Sequence, residues 1–309
     1  MIAVTGATGV IGGKIAERLA KRGIAQRLLV RNPERVPELP GAEIGIVGAY
    51  GDTREMRETL KDIETLFLVS ARDRMGVIIH SFENGVPVPD YDRVREHKSV
   101  IEAAVKAGVE RVVYLSFLNA SMDATFVLSK DHFQTEEIIR TSGLKYTFLR
   151  PNLYMDKVPE HIKRSDIIRA PAGNGRVSWV SRDDIADVAT EVLTGAGHEG
   201  KVYDITGPEA LDMRETADCL SAATGRNITY EPQTPEEVRI SRSSSRMEEL
   251  EERRVELTGS GLTDYEVDVW ISHYFQIASG EVSVISDTVQ KLCGHSAETL
   301  ADFLERMKS

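Results

Sequence analysis

Cysteine is almost missing from the 309 residues: only Cys219 and Cys293 occur, far apart in the chain. That excludes a disulfide framework and a cysteine-built zinc site. Basic residues are outnumbered, with 38 Lys+Arg against 49 Asp+Glu and a net charge of −11. Such an excess repels a phosphate backbone, so no nucleic-acid partner is expected. No apolar run is long enough to span a bilayer, so no membrane insertion is expected. A strand opens at Ile2 with no charged leader before it, and a cytoplasmic, reduced location is the expectation. The seven histidines (80, 97, 132, 161, 198, 273 and 295) show no ligand spacing, and no metal is expected. The Gly-x-Ser-x-Gly elbow of hydrolases is absent too.

What is present is an ordinary globular composition, 41% hydrophobic and 28% charged. In the first half, short apolar runs read as buried strands: Ile2–Val4, Leu28–Val30, Ile44–Val47, Leu66–Val69, Val112–Leu115 and Tyr146–Leu149. Between them lie stretches of helical period, such as Ile11, Ile15 and Leu19. Gly23, Gly108 and Gly143 follow three of these helices, where a left-handed C′ residue suits glycine. The alternation predicts an α/β fold with a doubly wound parallel sheet. After Pro151 the rhythm loosens. Asn152–Arg176 reads as a long connection. Strands at Val177–Val180 and Lys201–Ile205 then look able to rejoin the sheet, and another lies near Ile228–Tyr230. The expected division is 1–150 with 177–206 as the dinucleotide-binding domain, and 151–176 with 207–309 as a smaller α+β lobe. The charged stretch Ser241–Glu256 reads as a solvated helix, and Arg72–Asp92 as a long loop over the cofactor side of the sheet.

One segment carries chemistry. Val4-Thr5-Gly6-Ala7-Thr8-Gly9-Val10-Ile11-Gly12 joins the first strand to the first helix. Its glycines permit a tight turn, bring the backbone close to a pyrophosphate and let helix and strand pack together. The helix N-terminus offers N–H groups to the phosphates. About 20 residues on, where NAD enzymes carry an acid, stands Val30-Arg31-Asn32-Pro33. A guanidinium binds a 2′-phosphate that a carboxylate would repel, so Arg31 favours NADP(H).

These segments, with Leu144–Pro151 and the tail Ser286–Gly294, resemble the NmrA-like branch of atypical short-chain dehydrogenases. Within it the chain is similar to bacterial NADPH-dependent quinone oxidoreductases, over nearly its whole length. The resemblance implies a Rossmann domain with a small C-terminal lobe and a substrate cleft between them. It implies cofactor contacts from Gly6, Thr8, Gly9, Val10, Ile11, Arg31, Ser70, Ala71 and Asn152. It also places Tyr154 near the nicotinamide, and Ser116 and Lys130 where short-chain dehydrogenases keep their catalytic serine and lysine.

The tyrosine four residues before that lysine is replaced by Phe126, which exchanges no proton. Alcohol and simple ketone chemistry is therefore disfavoured, as is sugar-nucleotide epimerisation, which cycles a proton through that tyrosine. A quinone needs less help, because hydride transfer to it forms an aromatic anion. The expected activity is hydride transfer from NADPH to a quinone or similar conjugated carbonyl, with Lys130, Ser116 and Tyr154 as catalytic candidates. The alternative is a non-catalytic NADP-binding redox sensor acting on a partner protein. Val267, Trp270, Ile271, Tyr274 and Phe275 form an apolar stripe suited to packing or to a substrate wall. A homodimer is left open. His132 is expected at the surface, and Ser181-Arg182-Asp183-Asp184 is expected to cap a helix.

Overall fold

The computed structural model describes residues 1–70, 81–83, 86–88, 93–163, 165–238 and 264–308, with backbone alone at 81–83, 86–88 and 264–268. Strands β1 (Ile2–Thr5), β2 (Gln26–Val30), β3 (Ala42–Ile46) and β4 (Thr65–Val69) come from the first apolar runs. A short hairpin follows, β5 (Ser81–Glu83) with β6 (Val86–Val88), and then β7 (Arg111–Leu115), β8 (Lys145–Pro151) and, beyond the lobe's first strands, β11 (Lys201–Ile205). Seven of these form one sheet in the order β11-β8-β7-β4-β1-β2-β3. Every pairing in it is parallel.

Helices α1 (Val10–Lys21), α2 (Thr53–Thr59), α3 (Arg93–Ala107), α4 (Val127–Thr141) and α5 (Arg182–Thr194) connect the strands. Glycines 23, 108 and 143 close α1, α3 and α4 at φ +69°, +85° and +83°, a region that a Cβ disfavours. Ser181 caps α5 by accepting the Asp184 amide at 3.0 Å. The central strands are covered on both faces. Ile15, Leu19, Leu28 and Phe67 fill the core beneath α1 and α5, while Leu66, Leu68, Ile101, Val112 and Phe148 fill the one beneath α3 and α4. Burying each such side chain contributes about 1.5–3 kcal/mol.

Three expectations about this architecture change. Ile44 and Ile46 are 53% and 57% exposed, because β3 is an edge strand with one covered face. Val177–Val180 does not join the main sheet. Only β10 (Arg176–Val177) is a strand, antiparallel to β12 (Leu211–Asp212). The connection Asn152–Arg176 holds a 3₁₀ helix, Met155–Ile162, and β9 (Ile167–Ala170), which pairs with β13 (Thr229–Pro232). Short paired strands need few residues and little periodicity, so the Pro and Gly content hid them.

The C-terminal part adds α6 (Met213–Thr224), α7 (Asp264–Ala278), α8 (Thr288–Cys293) and α9 (Leu300–Arg306). Trp179, Leu220, Tyr274, Ile277 and Phe303 share a further core with Phe117 and Phe126. In α7, Ile271 and Tyr274 are buried and Trp270 and Phe275 half-buried; the side chain of Val267 lies outside the described residues. Residues 239–263, with the charged stretch, and most of Arg72–Asp92 also lie outside. Among the described residues no helix is long and apolar enough to cross a membrane.

Candidate cofactor and acceptor site

The carboxyl ends of β1 and β4 meet where the strand order reverses, the place where open α/β sheets bind ligands. There the chain turns at Gly6, φ +64°, and the Gly9 amide donates to the Gly6 carbonyl at 2.8 Å. A Cβ on Gly6 would lie 3.2 Å from the Val69 side chain, and one on Gly12 only 2.3 Å from the Gly6 oxygen. Glycine is therefore what lets α1 start so close to β1. No side chain caps α1, and its first turn holds no acid. Its first amides and positive end face outward for an anion. Thr8 and Gly9 are exposed, as is Val10 at 53%, whereas Ile11 is buried in the core.

Arg31 is exposed just past the end of β2. Asn32 is spent locally, accepting the Glu34 amide at 2.9 Å. Across from it, Tyr50 donates to the Val69 carbonyl at 3.2 Å. Burial pushes the Tyr50 phenol up to about 12, with the Arg31 charge acting in the opposite direction. The hydroxyl of Ser70, at the tip of β4, is buried and has no partner among the described residues. Ala71 lies outside them. This cradle fits a dinucleotide: it has an uncapped helix start, a turn closed to side chains and an orphaned buried hydroxyl.

At the ends of β7 and β8 the geometry departs from expectation. Ser116 is buried, and its hydroxyl donates to Glu136 at 2.6 Å. Glu136 also accepts from Arg150, at 2.9 and 2.6 Å, so the serine belongs to a buried ionic network instead of standing free for a substrate. Asn152 is engaged in the same way. Both amide hydrogens are taken, by Ser178 Oγ at 2.7 Å and the Val282 carbonyl at 2.8 Å, and its oxygen accepts the Leu153 amide. It is a strut between segments and has no hydrogen left for a cofactor.

Tyr154 is half-buried, with the Arg182 guanidinium 4.8 Å from its ring. Burial raises its phenol to about 12, so it is protonated at neutral pH. Lys130 is half-buried in the first turn of α4, without a hydrogen bond or ion pair among the described residues. Phe126, one turn earlier, packs against Phe117 (5.5 Å between ring centres) and His273 (5.6 Å).

His132 is not at the surface. It is 7% exposed, hydrogen-bonded through Nδ1 to the Tyr114 hydroxyl at 2.8 Å and stacked on Phe117. His97 meets Thr135 at 2.8 Å. Burial first, then the nearby Arg93 charge, lowers His97 to about 3 and holds His132 well below its usual range. The sequence signalled one of these: Arg93, His97, Val100, Ile101 and Ala104 keep a helical period, which puts His97 on the buried face. For Ser116, Glu136 and Arg150 no local signal exists, since the partners are 14 and 20 residues apart. Away from this face, His295 lies 3.7 Å from Asp187 and 4.0 Å from Asp184, a juxtaposition that residue spacing did not reveal. Other donors already hold these carboxylates, Arg18 on Asp187 and Ser181 with the Glu298 amide on Asp184.

Residues 6–196, from the glycine turn to the end of α5, match the model of the family described as NAD(P)H-binding. The chain belongs to that family. It is 31% identical to quinone oxidoreductase 2 of Escherichia coli, over 99% of this chain and 98% of that one. It is 30% identical to the NAD(P)H azoreductase of Xenophilus azovorans, over 98% and 96%. The structure of the E. coli NADPH-dependent quinone oxidoreductase complexed with NADPH superposes with a TM-score of 0.82 at 27% identity, each chain covered completely. This NAD(P)H-binding family member is an oxidoreductase of the Rossmann type.

Proposed function

We propose that this family member transfers hydride from NADPH to a quinone or a similar conjugated carbonyl. The observation that carries the reading is Phe126, wedged between Phe117 and His273 where a short-chain dehydrogenase keeps its proton-exchanging tyrosine. With no acid there, the acceptor must be one whose reduced anion is stable by itself. The relatives named for quinone and azo substrates support it.

A dinucleotide held by its pyrophosphate in the glycine cradle would supply the hydride from its nicotinamide. The chain's own residues do the rest. Gly6, Thr8, Gly9 and Val10 present the turn and the helix start to the pyrophosphate, and Ile11 anchors that start in the core. Arg31 meets the 2′-phosphate, and Ser70 turns its unpaired hydroxyl to the cofactor. Lys130 places a positive charge beside the developing oxyanion. Tyr154, protonated at neutral pH, donates a hydrogen bond across the cleft.

The division proposed is 1–150 with 177–206 for cofactor and 151–176 with 207–309 for acceptor. Separate apolar cores support it, with Phe117, Leu118, Phe126, Val177 and Trp179 crossing the seam into the acceptor-side core and Val289 crossing the other way. Both cysteines are free thiols, which suits a reduced cytoplasm.

A side-by-side fluorescence titration with NADPH, NADP⁺ and NADH, followed by NADPH oxidation with a panel of quinones, tests the reading. Tighter binding of NADPH than NADH and turnover with a quinone are expected. The sensor reading draws on Ser116, whose hydroxyl is committed to Glu136. Binding of NADP⁺ alone, with no turnover, would put the sensor ahead.

A further inference from the structure

Helix α4 starts without a cap of its own. Its N-cap residue is Phe126, which offers no side-chain oxygen, so its first amides need partners from elsewhere. The partner of the Val127 amide, and those of the residues just before the helix, come from the C-terminal segment, about 150 residues downstream. Ser272 Oγ, on α7, accepts the Val127 amide at 3.3 Å. Glu281, just past α7, accepts the Thr125 amide at 3.1 Å and also takes the Thr125 hydroxyl. The oxygen that accepts the Thr125 amide also accepts Asn119 Nδ2 at 2.8 Å, and Asn119 is held at positive φ, +55°, as only Asp62 is among the other described non-glycine residues.

One carboxylate thus binds both ends of the segment 119–125. It also stands at the positive end of the α4 dipole, where an anion is favourable. Glu281 is itself docked: Gly280 turns at φ +81°, and the next carbonyl, of Val282, receives Asn152 Nδ2 and the Ser178 amide. The residues that this clamp positions are Phe126 and, one turn on, Lys130. Both belong to the acceptor end of the proposed site.

We infer that Glu281 is a positioning residue for the acceptor: it sets the start of α4, and so the placement of Phe126 and Lys130, relative to a bound dinucleotide. The inference rests on the hydride-transfer reading. Glu281 acts through Thr125 and Asn119, so its loss misplaces the acceptor wall and leaves the phosphate cradle intact. A misplacement of about 1 Å at a reacting centre costs up to on the order of a hundredfold in rate.

The test uses the full chain with NADPH and 1,4-naphthoquinone, in the wild type and in the variants Glu281→Ala, Glu281→Gln and Thr125→Val. Steady-state kinetics are measured beside a fluorescence titration with NADPH. Glu281→Ala should raise the quinone KM or lower kcat by about tenfold or more, with the NADPH Kd unchanged. Glu281→Gln, which keeps an acceptor oxygen, should recover part of the loss. Thr125→Val should show a smaller effect of the same kind, and it keeps the question open to measurement if Glu281→Ala fails to fold. Wild-type kinetics in Glu281→Ala would overturn the inference while the hydride-transfer reading stands. So would parallel losses of NADPH binding and turnover in both Glu281→Gln and Thr125→Val, which mark a purely structural role. A wild type that binds NADPH but reduces no quinone would overturn the reading and the inference with it.

Discussion

The two ends of the proposed site are built on opposite plans. At the phosphate end, one unbroken stretch of nine residues from Val4 to Gly12 supplies strand, turn and helix start, and its geometry depends on glycines within that stretch. At the acceptor end nothing is local. Ser116 binds Glu136, which binds Arg150, while Thr125 and Asn119 are held by Glu281. A local device can keep its shape in many folds. A device assembled from distant parts exists only while the whole structure holds, and every member is left stranded when one is removed.

The sharpest break in that contrast is Glu136→Ala. It would strand a buried serine hydroxyl and the Arg150 guanidinium, and should destabilise the protein by about 3–5 kcal/mol, seen in urea or thermal unfolding. Stability within about 1 kcal/mol of wild type would mean that the network is not what holds the acceptor end. Arg31→Ala addresses the phosphate end. NADPH affinity should fall by about 1.5–3 kcal/mol, roughly tenfold to a hundredfold, as for loss of a charged hydrogen bond. NADH affinity should be unchanged in the same titration. If both cofactors weaken alike, Arg31 does not choose between them.

Asn152→Ala separates the strut from a cofactor contact. It removes one donor from the Val282 carbonyl, which keeps the Ser178 amide, and one from Ser178 Oγ, which keeps the Val284 carbonyl; this should cost about 1–3 kcal/mol of stability, with the NADPH Kd unmoved. A selective loss of NADPH binding would restore Asn152 to the cofactor site.

The gentlest test is pH. Unfolded histidines take a proton near 6.5, whereas folded His97 resists until about 3 and His161 and His273 until about 4, all chiefly through burial. The unfolded chain therefore binds more protons across that interval. Stability should be complete above pH 6.5 and decline as the pH falls toward 4 and then 3. A melting-temperature series over pH 5–8 should show the onset of this decline, and His97→Gln should flatten its slope.

How much of this was legible in the sequence follows from range. The six sheet strands from β1 to β8, the glycine helix ends at 23, 108 and 143, and the Ser181 cap rest on contacts within a few residues, and spacing reveals them. The exposure of Ile44 and Ile46 was not legible, because an apolar run looks alike in a central strand and at an edge. His132 looked like a surface residue because nothing near it in the chain announces Tyr114, 18 residues earlier. Asn152 lay in the right place, after β8 at the ligand-binding edge of the sheet, but its hydrogen-bond partners, 26 and 130 residues away, decided its work.

Sequence alone determined that a dinucleotide turn opens this chain, since glycine is the residue type that admits φ +64° and a carbonyl 2.3 Å from a would-be Cβ. It also determined that Phe126 denies the site a tyrosine. Tertiary structure decided which polar groups remain free to act. A hydroxyl or amide has only so many hydrogens, and whether they are spent on Glu136, Val282 or Glu281 or left for a ligand depends on what the fold brings beside them.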